Sequence, residues 1–119
     1  MKAIKAFDEA IANKVCNLEE AGINPTMYWA YRSSKEAGND VIDFREVIWD
    51  RDIAEIVKTC RENDIREFTI SCQFSGLIKA LAEFDKLGCK MFGIVQVNAP
   101  YKEFMSDKQA VVPAIKMIL

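Results

Sequence analysis

From residue 41 onward the apolar residues change period again and again, and this alternation limits the fold more than any other feature of the chain. VIDFREVIW (41–49) is rich in β-branched and aromatic residues and alternates loosely, which predicts a strand. DRDIAEIVKTCREND then sets Ile53, Ile56, Val57 and Cys60 on one helical face, with Asp52 and Glu55 in a D-x-x-E capping arrangement and Asn63-Asp64 as the stop. REFTISC (66–72) returns to strand. Residues 74–87 predict a helix whose core face is Phe74, Leu77, Ile78, Leu81 and Phe84, closed by Gly88; KMFGIVQV (90–97) is a third strand. Strands alternating with helices over short links are the pattern of parallel βαβ units joined by right-handed crossovers. The tail AVVPAIKMIL is expected to add a strand, with Pro113 at its start or on a sheet edge. NAPYKEFMSDKQ (98–109) is expected to be the longest loop.

The first 38 residues lack this alternation. Ile4, Phe7, Ile11, Val15 and Leu18 recur at helical spacing and predict a helix over residues 2–21 with Gly22 as its C-cap. Asn24-Pro25 is a helix start, an N-cap followed by proline at the first helical position, and Gly38 is the matching stop. Two helices joined by so short a link predict a helical hairpin over 1–38. The expected architecture is therefore one α/β domain over 1–119. Its core, 41–119, is a small, mostly parallel sheet of three or four strands with crossover helices, preceded by that hairpin.

Charge and composition exclude several classes. Half the residues are hydrophobic and 29% are charged, so the chain can fill a core and is too apolar for disorder. No apolar run reaches the ~20 residues that a bilayer demands. MKAIKAFDEAIANK carries acids early and has no continuous apolar stretch, so no signal peptide and a cytoplasmic location are expected. Residues 1–64 carry a net −4 and residues 65–119 a net +2, without a basic run, so nucleic acid is not an expected partner.

Cys16, Cys60, Cys72 and Cys89 form no C-x-x-C pair and the chain has no histidine, so neither a zinc site nor a disulfide framework is expected. Cys16 and Cys60 are expected on apolar helical faces, as small hydrophobes. The missing histidine also removes Ser-His-Asp and Cys-His catalysis. Catalysis would need carboxylates, Lys, Tyr, Cys or a bound cofactor, and no acid–base pair stands out. No catalytic residue, metal or cofactor is therefore expected.

The SCQFSG segment (71–76) has the look of an active-site elbow, but it has one glycine where a nucleophile elbow has two. It matches neither a phosphate loop nor a dinucleotide loop. Ser75 is expected to cap the helix that follows. In a parallel sheet, ligands collect at the carboxyl ends of the strands. This rule nominates Asp50, Arg51 and Asp52 after the first strand, Cys72, Gln73, Ser75 and Gly76 after the second, and Asn98, Tyr101 and Lys102 after the third. The helix N-terminus after residue 74 could hold a small anion there. Asp50 and Asp52 offer carboxylates of the kind Mg²⁺ takes, but D-R-D is common by chance and Asp52 already has a capping role. Tyr28, Trp29 and Tyr31 are candidates for a partner-binding face, against the plainer expectation that they pack on the core.

With VIDFREVIWDRDIAEIV, EFTIS and SGLIKALAEFDKLGCKM in view, the chain resembles a family of small proteins of Gram-positive anaerobes, often carried on plasmid-like or integrated elements. The similarity runs from about residue 25 to the end. The resemblance implies no activity, cofactor or site residue. It implies a bacterial cytoplasmic accessory protein, and the leading expectation is an interaction domain without catalytic activity that binds a protein partner or a second copy of itself. The alternative is a small-ligand or anion-binding domain at the strand ends.

Overall fold

The computed structural model describes residues 1–119. It has four helices and a four-stranded sheet, in the order α1 (Lys5–Ala12), α2 (Pro25–Ala37), β1 (Asp43–Phe44), α3 (Asp50–Glu62), β2 (Glu67–Ile70), α4 (Leu77–Lys86), β3 (Lys90–Lys102) and β4 (Gln109–Ile118). No helix is long and apolar enough to cross a membrane.

Local signals set α2. The Asn24 side chain accepts the Met27 N–H at 3.0 Å, Pro25 opens the helix, and Gly38 closes it at φ 74°. The helical hairpin expected over 1–38 is not found as drawn, because the helix expected over 2–21 is much shorter and the link to α2 is long. α1 stops at Ala12, Lys14 enters the left-handed region at φ 52°, and turns carry the chain to Asn24. Leu18 is nevertheless buried and Val15 packs on the core, so the apolar spacing is satisfied without a helix. Cys16, expected on an apolar helical face, lies exposed in one of those turns.

The strand order is β1-β2-β4-β3. β1 pairs parallel with β2, but β4 pairs antiparallel with both β2 and β3, which corrects the expectation of a mostly parallel sheet. These pairings make β1, β2 and β3 run in the same direction, as parallel βαβ units would. The difference is that the C-terminal strand is inserted, reversed, between β2 and β3. The expected 98–109 loop shrinks to a tip at 103–108, because β3 and β4 continue as a ribbon past the end of β2. Pro113 sits mid-strand, opposite Gln96. It is tolerated there because the β2 ladder ends at Ile115, leaving β3 as the neighbouring strand at the proline. The expected 41–49 strand is only Asp43–Phe44, and the chain leaves the sheet at Arg45.

Register places Phe44, Phe68, Ile70, Ile115 and Met117 on one face of the sheet. There Phe68 meets Phe44 edge-on at 5.4 Å and Phe84 of α4 at 5.2 Å. The core is continuous from Phe7 of α1 to Met117 of β4. α2 bridges the two outer strands. Ser34 Oγ accepts the free N–H of Asp43 at 2.8 Å, while Asn39 pairs with both backbone groups of Asn98, at 2.8 and 2.9 Å. With α2 holding both edges, the sheet curls until the ends of β1 and β3 approach each other: the Arg45 guanidinium lies 5.2 Å from the centre of the Tyr101 ring.

Candidate functional site

The curl opens a cleft of about 640 Å³ at the carboxyl ends of β1 and β2, between the N-terminal half of α2 and the segment that follows β1. Thr26, Trp29 and Ser33 line the α2 side, Arg45, Glu46 and Trp49 the other, and Asp43 and Cys72 the sheet end. The volume falls in the range of small-molecule sites.

The local chemistry explains why these side chains are free to face solvent. Tyr28 and Tyr31 occupy the buried side of α2, where Tyr28 packs on Phe7 and the Tyr31 hydroxyl donates to Asp8 Oδ1 at 2.7 Å. Trp29 is left on the outer side, 56% exposed. Trp49 caps α3 by its backbone alone, without a side-chain bond, and is 55% exposed. Two exposed tryptophans beside one cleft are unusual for residues whose burial is worth so much.

Asp43 anchors the sheet end. It is 1% exposed, and its two carboxylate oxygens accept from Thr69 Oγ1 and Ser71 Oγ at 2.6 Å each. Ser71 is thereby committed to holding a carboxylate in place. Burial pushes the Cys72 thiol up from its ordinary value, with the Glu46 carboxylate adding to the rise, so at neutral pH it stays protonated and a weak nucleophile. This arrangement suits binding better than covalent chemistry.

The residues nominated by the strand-end rule are brought together only in part. Cys72 lines the cleft, Tyr101 stacks on Arg45 at its edge, and Arg51 lies over the ring of Trp49 at 5.8 Å. Asp50 is turned to Lys79, at 2.9 Å. Asp52 does not cap α3; it accepts from Asn24 Nδ2 and Thr26 Oγ1, both at 2.9 Å, and ties the starts of α2 and α3 together. Asn98 is held in the contact between β3 and the end of α2 and does not reach the cleft. Lys102 reaches toward Asp107 at the ribbon tip.

Gln73 and Ser75 line a second groove of about 400 Å³ between α4 and the ribbon, with Ile78, Ile94 and Pro113; Cys72 borders both. Ser75 does not cap α4, whose N-cap is Gly76 without any side-chain bond. Of the three aromatics considered for a partner face, Trp29 alone is exposed; Tyr28 and Tyr31 are 3% and 1% exposed.

Arg45, Glu46 and Trp49 escaped the sequence reading because REVIW reads as the second half of a strand. The local hint was that Glu46 and Arg45 interrupt the apolar alternation before Trp49.

No curated protein and no solved structure matches the chain. A family model does match, over residues 26–119, which contain the whole lining of the cleft except Pro25. The chain belongs to the family described as a domain of unknown function, DUF7698.

Proposed function

We propose that the protein is a small-ligand-binding domain whose site is the cleft between Trp29 and Trp49. One observation carries this reading: a cleft of about 640 Å³ at the ends of the parallel pair, walled by two half-exposed tryptophans. These are the only two tryptophans in the chain, so its indole signals report on this cleft alone. The test is a small-molecule screen followed by the two indole N–H resonances and by emission on 295 nm excitation. A ligand that shifts both resonances supports the reading. Hits that bind without moving either one refute it.

A second reading, an interaction domain without catalytic activity, is favoured by exposed apolar residues on the β3–β4 ribbon. Phe92 and Ile94 on the outer strand are 67% and 66% exposed, and Met91 and Val111 are also exposed. Here the partner is a second copy or another protein docking on the β3 edge. A strict monomer by light scattering at high concentration removes the self-association version. Both readings take 1–119 as one unit, supported by the core that joins α1 to β4. The earlier resemblance adds a bacterial cytoplasmic setting, a Gram-positive host and carriage on mobile elements to the proposal; genome context tests the last two.

A further inference from the structure

We propose that the ligand of the Trp29–Trp49 cleft is a small anion bearing a flat aromatic ring, such as a mononucleotide or an aromatic carboxylate. This rests on the ligand-binding reading above.

The inference comes from where the arginines are and what they lack. The chain has five. Two are committed to polar partners: Arg61 donates to the Leu87 carbonyl and Arg66 pairs with Asp64 at 3.2 Å. The other three gather around the cleft. Arg45 lines it, and Arg32 and Arg51 lie over the rings of Trp29 and Trp49, 5.3 and 5.8 Å from their centres. None of the three takes part in an ion pair. Each keeps its N–H groups free while stacked on an aromatic ring, an arrangement that holds the guanidinium fork in place for a carboxylate or phosphate.

Three of the acids around the cleft are already committed. Both Asp43 oxygens are taken by hydroxyls, Asp50 is paired with Lys79, and Asp52 is bonded to Asn24 and Thr26. That leaves Glu46 as the one uncommitted carboxylate among the lining residues. Among the lining residues Arg45 faces Glu46, and Arg32 and Arg51 beside the cleft, neither in an ion pair, add two guanidiniums to it, on a chain whose net charge is −2. The half-exposed indoles supply the second element, flat surfaces that stack on any aromatic ring.

The test uses calorimetric titration of the full chain with AMP, adenosine, 1-naphthoate, 1-naphthalenemethanol and inorganic phosphate, with both indole N–H resonances followed in parallel. At least one ringed anion is expected to bind ten times or more tighter than its neutral counterpart and to shift both resonances. The two ringed anions tell a nucleotide site from a carboxylate site. The preference is expected to fall several-fold in Arg45→Gln and in Arg51→Gln, and with added salt. Arg51 is exposed, so its variant reports even where loss of the half-buried Arg45 disturbs folding.

Equal binding of the neutral and charged partners overturns the anion inference and leaves the cleft reading standing. Inorganic phosphate binding as tightly as AMP overturns the ring requirement. Failure of every probe to move the indole resonances overturns both the inference and the reading on which it rests.

Discussion

Replacing Tyr31 with Phe isolates one hydroxyl that fastens the N-terminal segment to the rest of the protein. The phenol accepts the backbone N–H of Ile4 at 3.2 Å and donates to Asp8 Oδ1 at 2.7 Å, so it joins the start of α1 to α2. Ile4 and Tyr31 are each 1% exposed, and the edge-on contact between Phe7 and Tyr31, 5.5 Å between ring centres, survives the substitution. The loss is then that of the hydroxyl alone. A hydrogen bond to a charged group contributes about 1.5–3 kcal/mol, and a buried N–H left without a partner costs about 1–3 kcal/mol more.

Asp8 keeps its ion pair with Lys35 at 3.2 Å and is open to water, which places the total in the lower part of the combined range, at about 2.5–4 kcal/mol. Urea unfolding followed by far-ultraviolet circular dichroism measures it, with an unchanged m-value as the sign that only stability moved. A loss under about 1 kcal/mol would show that the Ile4 N–H finds water and that the hydroxyl does not hold α1 in place. Burial also raises the Tyr31 pKa above its ordinary 10.0. The unfolded chain therefore loses this proton first, and stability that is complete below pH 10 falls as the pH rises beyond it.

Gly88→Ala is expected to cost about 1–2 kcal/mol, since Gly88 holds φ 87° and a Cβ there would stand 3.0 Å from Arg61 Nη2; chemical denaturation checks it. Asp43→Asn replaces one acceptor oxygen by a donor beside two hydroxyls that both donate, and a loss of about 1–3 kcal/mol is expected by the same method. Thiol titration at pH 8 should find Cys16 fast, Cys72 slow, and Cys60 and Cys89 protected until denaturant is added; early reaction of all four would contradict the described burial. The Cys60 thiol, pushed up to about 12 chiefly by burial, adds to the alkaline loss: stability is constant below the ordinary thiol value of 9.0 and declines from there toward 12.

The parts of the fold legible in the sequence are those set by near neighbours. Asn24-Pro25 and Gly38 delimit α2 because capping is a matter of three or four residues, and the apolar face of α3 is readable from its spacing. The position of β4 is set by pairings between residues far apart, such as Phe68 with Met117, which no local pattern encodes. The short links around α3 and α4 suggest parallel pairing because the strands they join do share a direction; the tail reads as a strand, but nothing local places it between β2 and β3.

The same limit applies to the cleft. Position along the strands nominates Cys72 and Tyr101, whereas helical spacing alone puts Trp29 with Tyr28 and Tyr31 on one aromatic turn. Trp49 was hidden in a run that reads as strand. Arg45 meets Tyr101 only because α2 draws the two sheet edges together.

The fourth strand in chain order is the one that holds the sheet together. β1 and β2 emerge early, yet β2 has its second neighbour, and β3 its first, only when residues 109–118 arrive. During synthesis the sheet cannot close until residues 109–118 have cleared the ribosome exit. Until then the aromatic and aliphatic face around Phe68 and Ile70 stays open to other chains. Long-range pairing of this kind slows folding and leaves nascent molecules prone to aggregation. Loss of residues 115–118 removes the pairing at the centre of the sheet, whereas a loss of similar length at the ribbon tip, 103–108, leaves that centre intact.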